Sequence, residues 1–75
     1  MDKFTFEIMK HLGALSAGNV VTELNIVKWG GNEGTYDLRR WKPGIDGEEK
    51  TPYKGITLTA NELQVLKDIL NSIEI

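Results

Sequence analysis

Apolar side chains recur at every second position near the start of the chain, where Phe4, Phe6 and Ile8 share one side of the alternation. A half-buried strand has this period because successive side chains point to opposite faces of a sheet. The pattern predicts a first strand over residues 4–10, interrupted by Gly13 and by the turn-forming run Ser16-Ala17-Gly18-Asn19. A second strand follows over residues 20–29, with Leu24 and Ile26 on one face and Asn25, Val27 and Trp29 on the other. The glycines of residues 30–34 allow positive φ and predict an open or bulged hairpin loop. A third strand is expected over residues 35–42, ended by Pro43-Gly44, and Ile45-Asp46-Gly47-Glu48-Glu49 makes the next turn. Residues 51–58 form a fourth strand, in which Pro52 points to an edge or a bulge.

The periodicity then changes from two to 3.6. Thr59-Ala60-Asn61-Glu62 is a capping box, in which the Thr and Glu side chains satisfy each other's exposed backbone donors. The helix it opens places Leu63, Val65, Leu66, Ile69, Leu70 and Ile73 on an arc of about 160°, wider than one buried face needs. Either a small domain wraps its helix deeply, or part of the arc packs on the sheet and the rest meets a partner. The second reading assigns Val65, Ile69 and Ile73 to a dimer interface.

Size favours the partner. Seventy-five residues make one domain, spanning 1–75, whose core is marginal alone. The sequence has no cysteine and one histidine, His11, which removes disulfides and the usual zinc sites as sources of stability and leaves oligomerisation. No cofactor or metal is expected. No segment has the composition of a membrane span or a signal peptide, so the expected location is the cytoplasm, beside the nucleoid. Catalysis has no constellation to rest on: His11 has no acid partner motif, Glu48-Glu49 lie in a turn, and no Lys-Ser/Thr pair follows the hairpin glycines. The chain is expected not to be an enzyme and to take no small-molecule substrate.

What remains is basic and aromatic side chains interleaved on strands: Lys28-Trp29, Arg39-Arg40-Trp41-Lys42 and Tyr53-Lys54. Parity puts Arg39, Trp41 and Trp29 on the face away from Leu38, which belongs under the helix with Leu24, Ile26, Ile56 and Leu58. Exposed there, the tryptophans suit unpaired bases, which stack on aromatic rings while Lys and Arg follow the phosphates. Alternatively, Trp29 and Trp41 pack on each other or at a subunit contact. The net charge of −2 opposes nucleic acid, yet residues 28–54 hold six basic and five acidic side chains, against three and six in the flanks. A protein-interaction module using the same aromatic face is the alternative function, since tryptophan and arginine are common interface anchors.

The run Tyr36-Asp37-Leu38-Arg39-Arg40-Trp41, the turn with Asp46-Gly47-Glu48, and Lys54-Gly55-Ile56-Thr57-Leu58-Thr59 before a Leu-rich helix resemble the C-terminal domain of positive cofactor four. That family comprises eukaryotic transcriptional coactivators that bind single-stranded DNA and compact bacterial relatives of YdbC type, which this chain resembles more. The resemblance covers roughly residues 20 to 74. It implies an α+β fold, a curved four-stranded antiparallel sheet followed by one C-terminal helix, assembled as a homodimer. It also implies sequence-tolerant binding of single-stranded DNA, with RNA as a second ligand and the transcription machinery as a partner. Carried over by position, Arg39 and Trp41 fall on the binding strand, Lys54 precedes Gly-Ile, and Trp29 stands near the preceding hairpin. Lys28, Lys42 and Tyr53 complete the expected nucleic-acid-binding set. Lys54 shares the parity of Ile56, so reaching the ligand requires a bulge or twist at Pro52 or Gly55.

Overall fold

The structure is a computed structural model that describes residues 5–45 and 47–74. Phe4 and Asp46, which the sequence reading placed in the first strand and the third turn, lie outside the described residues. Four strands, β1 (Phe6–Ala14), β2 (Val21–Trp29), β3 (Thr35–Lys42) and β4 (Thr51–Leu58), precede one helix, α1 (Ala60–Ser72). The strands form an open antiparallel sheet in the order β1-β2-β3-β4. The second hairpin strand begins cleanly because Gly30, at φ 59°, starts a turn in which the Asn32 N–H donates to the Trp29 carbonyl at 3.0 Å. At the far end the capping box is formed, with Glu62 N–H donating to Thr59 Oγ1 and Thr59 N–H donating to Glu62 Oε1.

The third and fourth strands and the helix follow the sequence pattern. The first strand does not. It continues through Gly13 to Ala14, and its register with β2 slips between Ile8 and Lys10 and again between His11 and Gly13. Met9 and Leu12 are the extra residues, both exposed, and each reverses the alternation. Phe6, Ile8 and His11 therefore stand opposite Trp29, Val27 and Asn25 respectively, although 6 and 11 differ in parity. The sequence reading ended the strand at Lys10 because it took Gly13 as a break, whereas Gly13 pairs with Leu24.

The sheet is strongly coiled. Trp41 pairs with Val21, eight residues along β2 from Trp29, a separation of roughly 26 Å in a flat strand. Yet the two indole rings stack with centroids 6.5 Å apart, and the Phe6 ring lies 5.7 Å from one and 5.3 Å from the other. Only a sheet curled with the tryptophan face inside brings these rings together.

The opposite, helix-bearing face has Leu24, Leu38, Ile56 and Leu58. The helix lies against β3 and β4, with Leu63 and Leu66 half-buried. A groove of about 340 Å³ remains between Leu24 and the side chains of Leu63, Leu66 and Leu70. Ile56, expected beneath the helix, is instead 55% exposed, because the helix does not reach across it. No helix residue is buried. Of the five buried residues among those described, three are polar (Glu23, Asn25 and Asp37) and two apolar (Val27 and Trp41), all on the tryptophan face by strand pairing. The chain thus encloses polar groups and leaves its apolar helix in the open.

Gly55 makes the close approach of β4 to β3 possible. A Cβ there would fall 2.5 Å from Arg39 Cα and from the Leu38 carbonyl oxygen, both backbone atoms that cannot swing aside. Gly55→Ala is expected to lower stability by about 1–3 kcal/mol through forced backbone displacement, read as an earlier urea midpoint. An unchanged midpoint would show that the strands can separate at no cost.

Candidate nucleic-acid interface

Two groups of side chains stand where the sequence placed binding residues. The first is at the β4 edge. Arg39 pairs with Gly55 and Trp41 with Pro52, so Tyr53 and Lys54 together oppose Arg40 alone. The bulge lies on the Pro52 side of Lys54: register is unbroken from Leu58 to Gly55, so Lys54 keeps the parity of Ile56 and is not turned onto the face of Arg39 and Trp41. It brings three of the expected residues together: Lys42 Nζ lies 4.1 Å from the centroid of the Tyr53 ring and Lys54 Nζ 5.9 Å. Tyr53 is 41% exposed, and both lysines are exposed. An exposed ring with two ammonium groups close to it offers a stacking plane beside phosphate-neutralising charge.

The second group lines the inside of the curl. Arg39 Nε donates to both oxygens of the fully buried Asp37, at 2.7 and 2.9 Å, and its Nη1 donates to the Tyr53 carbonyl at 3.2 Å. The guanidinium lies 4.6 Å from the centroid of Trp29. Beside it runs a chain of hydrogen bonds that sequence reading did not anticipate. His11 Nδ1 meets Asn25 Oδ1 at 2.7 Å, Asn25 Nδ2 donates to Glu23 Oε1 at 3.0 Å, and Lys50 Nζ donates to the same oxygen at 2.7 Å. Burial pushes the Glu23 carboxyl up, but hydrogen bonds from Lys50 and Asn25 and the charges of Lys50 and His11 outweigh it and hold the group below the usual carboxylate range. The available signal was on β2, where Glu23 and Asn25 alternate onto the face of Val27 and Trp29. Polar residues at inward positions mark a surface used for more than packing.

The two tryptophans differ from expectation. Trp41 is 1% exposed, enclosed by Phe6, Trp29 and the Lys50 ammonium at 5.2 Å. It is therefore corrected from an open stacking platform to an interior ring, the packing alternative that the sequence left open. Trp29 is half-buried in the same stack. The cause is the coiling, which parity cannot report: a face read as open on a flat sheet closes on itself when the sheet curls. Lys28, at the end of β2, alternates to the side opposite Trp29 and joins neither group. His11 is an exposed strand residue, with 54% of its side-chain surface accessible.

Tyr53 of the first group and Arg39 and Lys50 of the second share one cleft of about 720 Å³, also lined by Phe6, Thr51 and Pro52, with Glu48 and Glu49 on its wall. It is large enough for a nucleotide and combines rings with fixed cations.

The family model described as Transcriptional Coactivator p15 (PC4) matches residues 21–69, from the start of β2 into the helix. A protein of Treponema pallidum (strain Nichols), described as uncharacterized, is 37% identical over 76 residues, covering 99% of this chain and 85% of its own length. The match takes in Arg39, Trp41, Tyr53 and Lys54 together with the strands that hold them, and the chain belongs to the transcriptional coactivator p15 (PC4) family.

Proposed function

We propose that the protein is a non-catalytic, sequence-tolerant single-stranded DNA-binding protein that acts as a homodimer in a transcription coactivator-like role. The observation that carries this reading is the exposed Tyr53 ring with Lys42 and Lys54 beside it, on the wall of a cleft that also holds Arg39 and Lys50. A family that binds nucleic acid supports it. Bases stack on Tyr53 and reach toward the half-buried Trp29, and phosphates follow Lys42 and Lys54. Glu48 and Glu49 on the cleft wall turn the phosphates to the lysine side. Duplex DNA hides its base faces and keeps only the charge attraction, so discrimination against it follows from the same geometry.

Titration of a labelled oligo-dT and of the matching duplex, each at two salt concentrations, tests the reading. The single strand is expected to bind more tightly, with a log–log salt slope of roughly −0.7 per phosphate neutralised. Tyr53→Ala should weaken it by about 1–3 kcal/mol, one stacking contact, without changing the far-ultraviolet circular dichroism. A folded protein that ignores both ligands would move the aromatic edge to the recognition of a protein surface.

A further inference from the structure

The cations on the inside of the curl are not free to meet phosphate. Arg39 is held by Asp37, and Lys50 by Glu23. The two ion pairs differ in what they leave available. Asp37 is fully buried and takes only the Arg39 Nε among the described contacts, so the fork stays fixed over Trp29. Lys50 comes from the segment between β3 and β4, keeps 35% of its side-chain surface exposed, and lines the large cleft as well as the two smaller ones beside it. Its ammonium also lies over the Trp41 ring. A flexible four-carbon stem ending at the junction of three clefts can turn from Glu23 to an incoming anion with little movement of the backbone.

We propose that Lys50 is a further strand-binding residue of this face, and that Glu23 sets its availability by competing with the strand's phosphates for it. This rests on the single-strand reading above and adds to it a residue pair that limits affinity from within. The exchange does not strand a buried charge. When Lys50 turns to phosphate, Glu23 Oε1 keeps the hydrogen bond from Asn25 Nδ2, while His11 Nδ1 stands 3.7 Å away on β1 and Arg39 stands opposite on β3. A carboxylate left with those neighbours avoids most of the penalty that an isolated buried charge would incur. Such a competitor accounts for a face that carries cations and yet is balanced internally by Glu23 and Asp37.

The test is oligo-dT binding by four full-length proteins: wild type, Glu23→Gln, Lys50→Gln and the double variant. Glu23→Gln keeps the shape and an acceptor for Asn25 but removes the competing charge. It is expected to bind about fivefold more tightly at low salt, the gain of one partly exposed charge pair. Lys50→Gln should abolish that gain in the double variant, an outcome that a structural role for Glu23 would not produce. Equal or weaker binding by a folded Glu23→Gln protein overturns the proposal, as does a gain that survives Lys50→Gln. In the wild type, the Glu23 carboxyl carbon resonance should move on adding oligo-dT, and its constancy in a bound protein would equally overturn the exchange. Absence of binding by all four folded proteins would instead refute the single-strand reading itself.

Discussion

Trp41→Ala is expected to remove a large share of the stability of the protein. Trp41 is the largest fully buried side chain, packed against Phe6 and stacked on Trp29. Truncating a buried tryptophan to alanine costs about 3–5 kcal/mol, because the cavity is only partly refilled. A chain of this length has roughly 4–11 kcal/mol in total. The loss should appear as a large fall in the urea midpoint, with a population of unfolded chains at the weak end of that range. Trp41→Phe separates packing from any indole-specific role. It retains an aromatic ring in the stack and removes the indole N–H, which is buried without a hydrogen-bond partner among the described residues and so is a cost to the native state. Its destabilisation should be well below that of alanine. A Trp41→Ala protein that stays folded and loses only DNA affinity would return Trp41 to the binding surface.

The same residue shows how far the sequence could be read. Strand parity placed Trp29, Arg39 and Trp41 on one face, and the pairings of β2 with β3 agree. Parity is a property of the pleat, and the pleat is encoded locally. Exposure is a property of how far the sheet coils, and coiling arises from the accumulation of twist and bulges across all four strands. The bulge opposite Arg40 was legible because Pro52 and Gly55 mark it in the sequence. The bulge at Met9 carries no such mark, and Gly13 beside the bulge at Leu12 was read as a break in the strand, so the first strand was read as ending early. The Lys42, Tyr53 and Lys54 cluster came from neighbours in sequence and needed only one correct hairpin. The chain from His11 through Asn25 and Glu23 to Lys50 joins three separate segments. No local pattern reports that Lys50 folds back onto Glu23, 27 positions away.

Ile69→Glu is the substitution expected to act most strongly outside the curl. Ile69 is 51% exposed on the helix, beside Val65 at 48% and Ile73 at 47%, while Ile56 on the helix-bearing face of the sheet is also uncovered. Several large aliphatic side chains on one side of so small a molecule form a patch that a lone soluble chain would rarely leave in water. The helix contributes no fully buried residue to the folded chain, so most of its apolar face is available to a second surface. In the proposed homodimer that surface is the same helix and sheet of the partner, and a two-fold axis would bury each exposed residue once on each side. A carboxylate at position 69 is harmless to an isolated helix, in which glutamate is a good former, but is placed without a partner at a symmetric apolar contact, where unpaired charge is costly. Sedimentation should show the wild type at twice the 8.4 kDa chain mass and Ile69→Glu as a monomer. The wild-type midpoint should rise with protein concentration, whereas that of the variant should be lower and independent of it. Because Tyr53 and its lysines lie at the β4 edge, away from the substituted helix position in sequence, a folded monomer would retain a single binding edge and lose the affinity gained from two linked ones. A wild type that sediments as a monomer at all concentrations would mean that the helix face is covered by a different protein.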